Sequence, residues 1–84
     1  MVRTTAWRIR RHIKNDILNG NAASHDPLAA RELDSLQIEQ LVAYLEDTFG
    51  LRFDDDELVM ESFASIPTLA RLVERKRKAK VVAG

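Results

Sequence analysis

Cysteine is absent from this chain. That excludes disulfides, thiolate nucleophiles and any cysteine-based metal site. No apolar run approaches the ~18 residues that span a bilayer. Arg8, Arg10, Arg11 and Lys14 interrupt the apolar residues near the start, so a signal-peptide core is missing and a soluble cytoplasmic protein is expected. Only two histidines occur, His12 and His25, and neither has partners for a metal site. A nucleophilic serine needs a base and an orienting acid, and no Gly-x-Ser-x-Gly elbow is present, so catalysis by a serine is not expected. Strand-type alternation, internal repeats and low-complexity segments are missing as well.

What is there suits one small domain over residues 1–84, with 45% hydrophobic residues for a modest core. The formal net charge is zero, but the charges are segregated. Residues 32–61 hold ten acids against one base, Arg52, while both ends are basic.

The clearest local pattern is Asp34-Ser35-Leu36 and the helix it opens. Ile38, Leu41, Val42, Leu45 and Phe49 fall at helical spacing. Asp34 suits the N-cap, Gln37 completes a capping box, and Gly50 suits the left-handed residue that ends the helix. Ser35 then sits at the first helical position, exposed, before N–H groups that lack intrahelical partners. A phosphate attached there would meet the positive end of the helix dipole.

Around it, Thr5 reads as the N-cap of a first helix from Ala6 to about Leu18. Ala6, Ile9 (or Trp7), Ile13 and Ile17 trace one face, and Gly20 ends it. A long connection runs to Asp34, with Leu28 and Leu33 expected to pin it to the core. Asp54-Asp55-Asp56-Glu57 heads a brief helix from Leu58 to Phe63. These acids lack the alternating ligands and central glycine of a calcium loop, so no metal is expected. Ser65 caps a last helix, with Pro67 in its first turn and Ile66, Leu69, Leu72 and Val73 buried. Arg75, Lys76, Arg77, Lys78 and Lys80 crowd its end, and residues 81–84 read as a frayed tail. The expected architecture is all-α, an antiparallel bundle of four helices, three long and one short.

The ordered set Asp34-Ser35-Leu36, then Leu41-Val42-Ala43-Tyr44-Leu45-Glu46-Asp47-Thr48-Phe49-Gly50, then Phe63-Ala64-Ser65-Ile66-Pro67-Thr68-Leu69 resembles the acyl carrier protein family over nearly the whole chain. The family usually has glycine just before the Asp-Ser pair, where Glu32-Leu33 stand here. The resemblance implies a carrier rather than an enzyme. Ser35 would take a phosphopantetheine arm from coenzyme A through a separate transferase, and Asp34 would aid recognition by that transferase. The arm's thiol, which this chain does not encode, would hold an acyl group as a thioester. The resemblance further implies a monomer that visits acyltransferase, ligase or synthase enzymes of a polyketide or antibiotic pathway. An aminoacyl or peptidyl carrier of a nonribosomal pathway is the alternative.

Glu39, Glu46 and Asp47 lie off the apolar stripe and would form a docking face, with Leu36 and Met60 as apolar contacts. A cargo pocket is expected between the second, third and last helices, lined by Ile38, Leu41, Leu58, Ile66 and Leu69. The basic residues Arg3, Arg8, Arg10, Arg11 and Lys14 permit a rival reading as a nucleic-acid module. The acidic second helix would repel phosphates, and no nucleic acid is expected as a partner.

Overall fold

The computed structural model describes the backbone of residues 2–83 and the side chains of residues 4–78. The side chains of Arg3 and Lys80, and Gly84 at the end of the expected frayed tail, lie outside the described residues. Among the described residues the fold is all-α, with three helices and no strand. The helices are α1 (Val2–His12), α2 (Ser35–Phe49) and α3 (Ile66–Ala83). Two single 3₁₀ turns, Asp55–Glu57 and Met60–Phe63, replace the short fourth helix expected over Leu58–Phe63.

The first helix starts earlier than its sequence suggests. Thr5 is no N-cap: it lies inside α1, 1% exposed, and its hydroxyl donates to the Glu74 carboxylate on α3. Thr5 shares a face with Ile9 and Ile13, so packing on α3 supplies its partner and a local cap is not needed. The helix then widens into a π turn over Ile13–Ile17, where the Leu18 N–H reaches the Ile13 carbonyl at 2.8 Å. A stripe spaced by four residues drifts about 40° per step on a 3.6-residue turn. The wide turn takes up that drift and keeps both Ile13 and Ile17 buried.

The core joins Ile9, Ile13 and Ile17 of α1 and its π turn, Leu41 and Leu45 of α2, and Ile66, Leu69, Ala70, Leu72 and Val73 of α3. Helix α1 packs mainly along α3, and α2 leans on the π turn and on α3. The loop between α1 and α2 is held by two carboxylates. Asp26 accepts the N–H groups of Leu28 at 3.1 Å, Ala29 at 3.0 Å and Ile66 at 3.0 Å. Glu32 accepts the Ala23 N–H at 2.8 Å and the Ser24 hydroxyl at 2.6 Å, bonds that hold its carboxyl below the ordinary range. Leu28 is buried and Leu33 packs half-buried against the core, as expected of the two pins.

After α2, Glu57 binds the 3₁₀ region to α3. Its carboxylate accepts the Asp54 N–H at 2.8 Å and pairs with Lys76 Nζ at 2.7 Å. The Lys76 bond and then the Asp54 N–H lower its pKa. Ser65 caps α3 as expected: its hydroxyl oxygen accepts the Thr68 N–H at 3.2 Å.

Candidate functional site

The start of α2 is built by short-range chemistry. Asp34 has extended backbone angles and its carboxylate accepts the Gln37 N–H at 2.8 Å. The Gln37 side chain returns the bond, accepting the Asp34 N–H at 2.9 Å. The Ile38 N–H closes the first turn on the Asp34 carbonyl at 2.9 Å. The N–H groups of Ser35 and Leu36 are left without a protein partner among the described residues. At the far end Gly50 adopts φ 64 and ψ 43, the left-handed cap expected of it.

Ser35 is exposed, at the rim of an open cleft of about 1010 Å³. The loop at residues 27–33, α2 and the turn at 58–64 form its walls. Ile38 and Leu58 line it, as expected. Leu41, Ile66 and Leu69 do not; all three are packed inside the core, at most 1% exposed. The stripe of α2 is broad, and only the Ile38–Val42 side of it faces the cleft. Leu28, Leu33, Val42, Val59 and Phe63 are among the other apolar residues that line it. Arg31, with a left-handed φ of 56, is the one base among the described residues that line the cleft. Sequence reasoning missed Arg31 and Val59 because single loop residues carry no periodicity. Asp26 was legible in principle, since Asp-Pro opens turns.

The proposed partner residues divide. Asp34, Glu39, Glu46 and Met60 share the cleft with Ser35, whereas Leu36 and Asp47 lie outside it. Leu36 is 64% exposed and Met60 70%. Glu39 and Asp47 are exposed, but Glu46 is half-buried and its carboxylate accepts the Phe53 N–H at 3.0 Å. Glu46 therefore has a structural duty that its place on the helix does not reveal.

Neither histidine stands beside Ser35 among the described residues. The His12 ring is stacked on Tyr44 with centroids 3.6 Å apart, its Nδ1 lies 3.0 Å from Asp16, and none of these three lines the cleft. His25 is exposed in the loop. An exposed hydroxyl, two open N–H groups and a helix N-terminus make a place to attach and hold an anion. The cleft beside them can shelter an apolar group.

Comparison with known proteins agrees with that chemistry. The chain matches the family model described as the phosphopantetheine attachment site over residues 9–75. No curated protein matches it.

Proposed function

From the chain's membership of the phosphopantetheine-attachment family, which makes it a non-catalytic carrier with a covalent arm, we propose that Ser35 is the residue that bears the arm. Such carriers work with a phosphopantetheinyl transferase and with the enzymes of a pathway. The observation that carries the assignment is the exposed Ser35 hydroxyl beside two unpaired N–H groups on a capped helix. A phosphodiester there would gain about 0.3–1 kcal/mol from the helix dipole. Arg31 on the same rim adds a positive charge. When bound, the arm supplies a thiol for a thioester. The protein's own part is to hold the attachment point rigid, offer the cleft and present α2.

The cargo we assign is an acyl group of a dedicated biosynthetic pathway, of polyketide type. The apolar lining from Leu28, Ile38, Val42, Leu58 and Phe63 supports it. A specific observation favours an aminoacyl cargo as the second reading. Four carboxylates, those of Asp34, Glu39, Glu46 and Glu61, surround the cleft against the single Arg31. A cargo with a free ammonium group would suit that balance.

Incubation with coenzyme A and a promiscuous transferase should add the mass of one arm. Ser35→Ala should stay at the unmodified mass. Modification of that variant would place the site elsewhere. The intact mass of protein from its native host would tell acyl from aminoacyl cargo.

A further inference from the structure

On the far side of α2 from the cleft lies a second surface that the carrier reading does not use. We propose that the outer face of α1, around Trp7, Arg8 and Arg11, docks an acidic segment of a partner protein and tethers the carrier while Ser35 stays free.

Trp7 stands 52% exposed, although the apolar stripe of its helix, Ile9, Ile13 and Ile17, is buried. It borders a shallow groove whose floor includes the stacked rings of His12 and Tyr44. The Arg11 guanidinium lies 5.2 Å over the Trp7 ring, and that of Arg8 lies 4.9 Å over Phe49. Neither arginine makes a hydrogen bond or ion pair with a described residue. The ring faces hold both guanidinium groups in position while their N–H donors remain open. Asp16, the acid beside them, is engaged by His12 at 3.0 Å. Exposed tryptophan with pre-positioned arginine is the composition that concentrates binding energy at interfaces.

Charge complementarity selects carboxylates as the partner groups, and Trp7 adds contact for one apolar side chain. A long polyanion is disfavoured, because it would also meet the ten acids of residues 32–61. Tyr44 follows Ser35 by nine residues, about 180° round α2. The groove and the cleft share no lining residue. An occupant of the α1 face would therefore leave the arm free and raise its effective concentration at the partner.

The proposal goes beyond the carrier reading, and its test does not depend on loading of the arm. The probe is a 16-residue helical peptide with Glu and Asp on one face and Leu on the other. Controls are its Lys-for-acid counterpart, a DNA duplex and phosphatidylglycerol vesicles. Trp7, the sole tryptophan, reports through its fluorescence. The acidic peptide should shift the emission to the blue in a saturable way and move the amide resonances of Trp7, Arg11 and Tyr44. Combined Arg8→Glu and Arg11→Glu should weaken binding by about tenfold or more, while Ser35→Ala should bind as the parent does. If the double variant loses its helical circular dichroism, Arg11→Glu alone should still weaken binding by about threefold. Four results would overturn the proposal: no shift, undiminished binding by a folded arginine variant, tighter binding of DNA or vesicles than of the peptide, or the same resonance shifts on concentrating the protein alone.

Discussion

The Asp26 carboxylate receives the backbone N–H of Ile66 at 3.0 Å, forty residues along the chain. One loop side chain thus serves as a cap for α3 while it closes the turn at Leu28 and Ala29 that begins the cleft wall. Asp26→Ala should lower stability by about 1–2 kcal/mol, the range of a lost helix cap. Asp26→Asn, which keeps one acceptor oxygen, should lose less. Urea denaturation followed by Trp7 fluorescence measures both, and equal losses would mean that the charge matters more than the cap.

Asp34 combines a cap with a proposed role in recognition by the transferase, and two substitutions separate them. Asp34→Ala should cost about 1 kcal/mol and slow loading of the arm. Asp34→Asn should keep most of the stability. If Asn loads as fast as Asp, the cap alone explains the residue, and the recognition role is lost.

Glu74 couples folding to pH. The Thr5 hydroxyl first, and the Arg77 guanidinium as well, hold its carboxyl below the ordinary glutamate range, and Glu57 is lowered by Lys76. A depressed folded-state pKa contributes stability above the unfolded value, and that contribution is lost as pH falls through the folded value. Stability should therefore decline below about pH 4.5, and Glu74→Gln should flatten the decline. Thr5→Val should cost about 0.5–1.5 kcal/mol at neutral pH, the net value of one hydrogen bond, because Glu74 loses the Thr5 hydroxyl but keeps Arg77.

Leu45 is fully buried between α2 and the rest of the core. Leu45→Ala should cost about 2–5 kcal/mol, read from chemical denaturation. Leu36→Ala, at an exposed position, should change stability by less than about 0.5 kcal/mol and act only on partner enzymes.

Charge reversal will not act alike along α2. Glu39→Lys and Asp47→Lys should slow transfer from partner enzymes and leave the melting temperature near that of the parent, since both side chains are exposed. Glu46→Lys should also destabilise the fold, by about 1–3 kcal/mol, because the Phe53 N–H loses its acceptor. Partner kinetics unchanged by both Glu39→Lys and Asp47→Lys would remove the docking face.

Helix α2 was legible residue by residue. Its N-cap, capping box, first-turn serine, apolar stripe and left-handed Gly50 all appear where the spacing predicts them. Each depends on neighbours three or four positions away, a range over which sequence dictates geometry. The start of α1 was misread because Thr5 looks like a cap until Glu74 is beside it. The four acids at residues 54–57 looked like a helix start, yet Glu57 turns to Lys76 and the segment closes as 3₁₀ turns. The cleft lining was half right for a similar reason: periodicity finds the apolar residues but does not say which of them the loop leaves open.

The sequence by itself determined an all-helical domain, the stripe that each helix buries, and a serine set at the mouth of a capped helix. Local hydrogen bonds and helical periodicity suffice for those. Only the tertiary structure decided where α1 begins, that Glu46 serves Phe53, which apolar residues stay open beside Ser35, and that Trp7 is left outside the core. Those outcomes rest on contacts between residues far apart in the chain, such as Thr5 with Glu74 and Asp26 with Ile66, and such contacts exist only once the helices have packed.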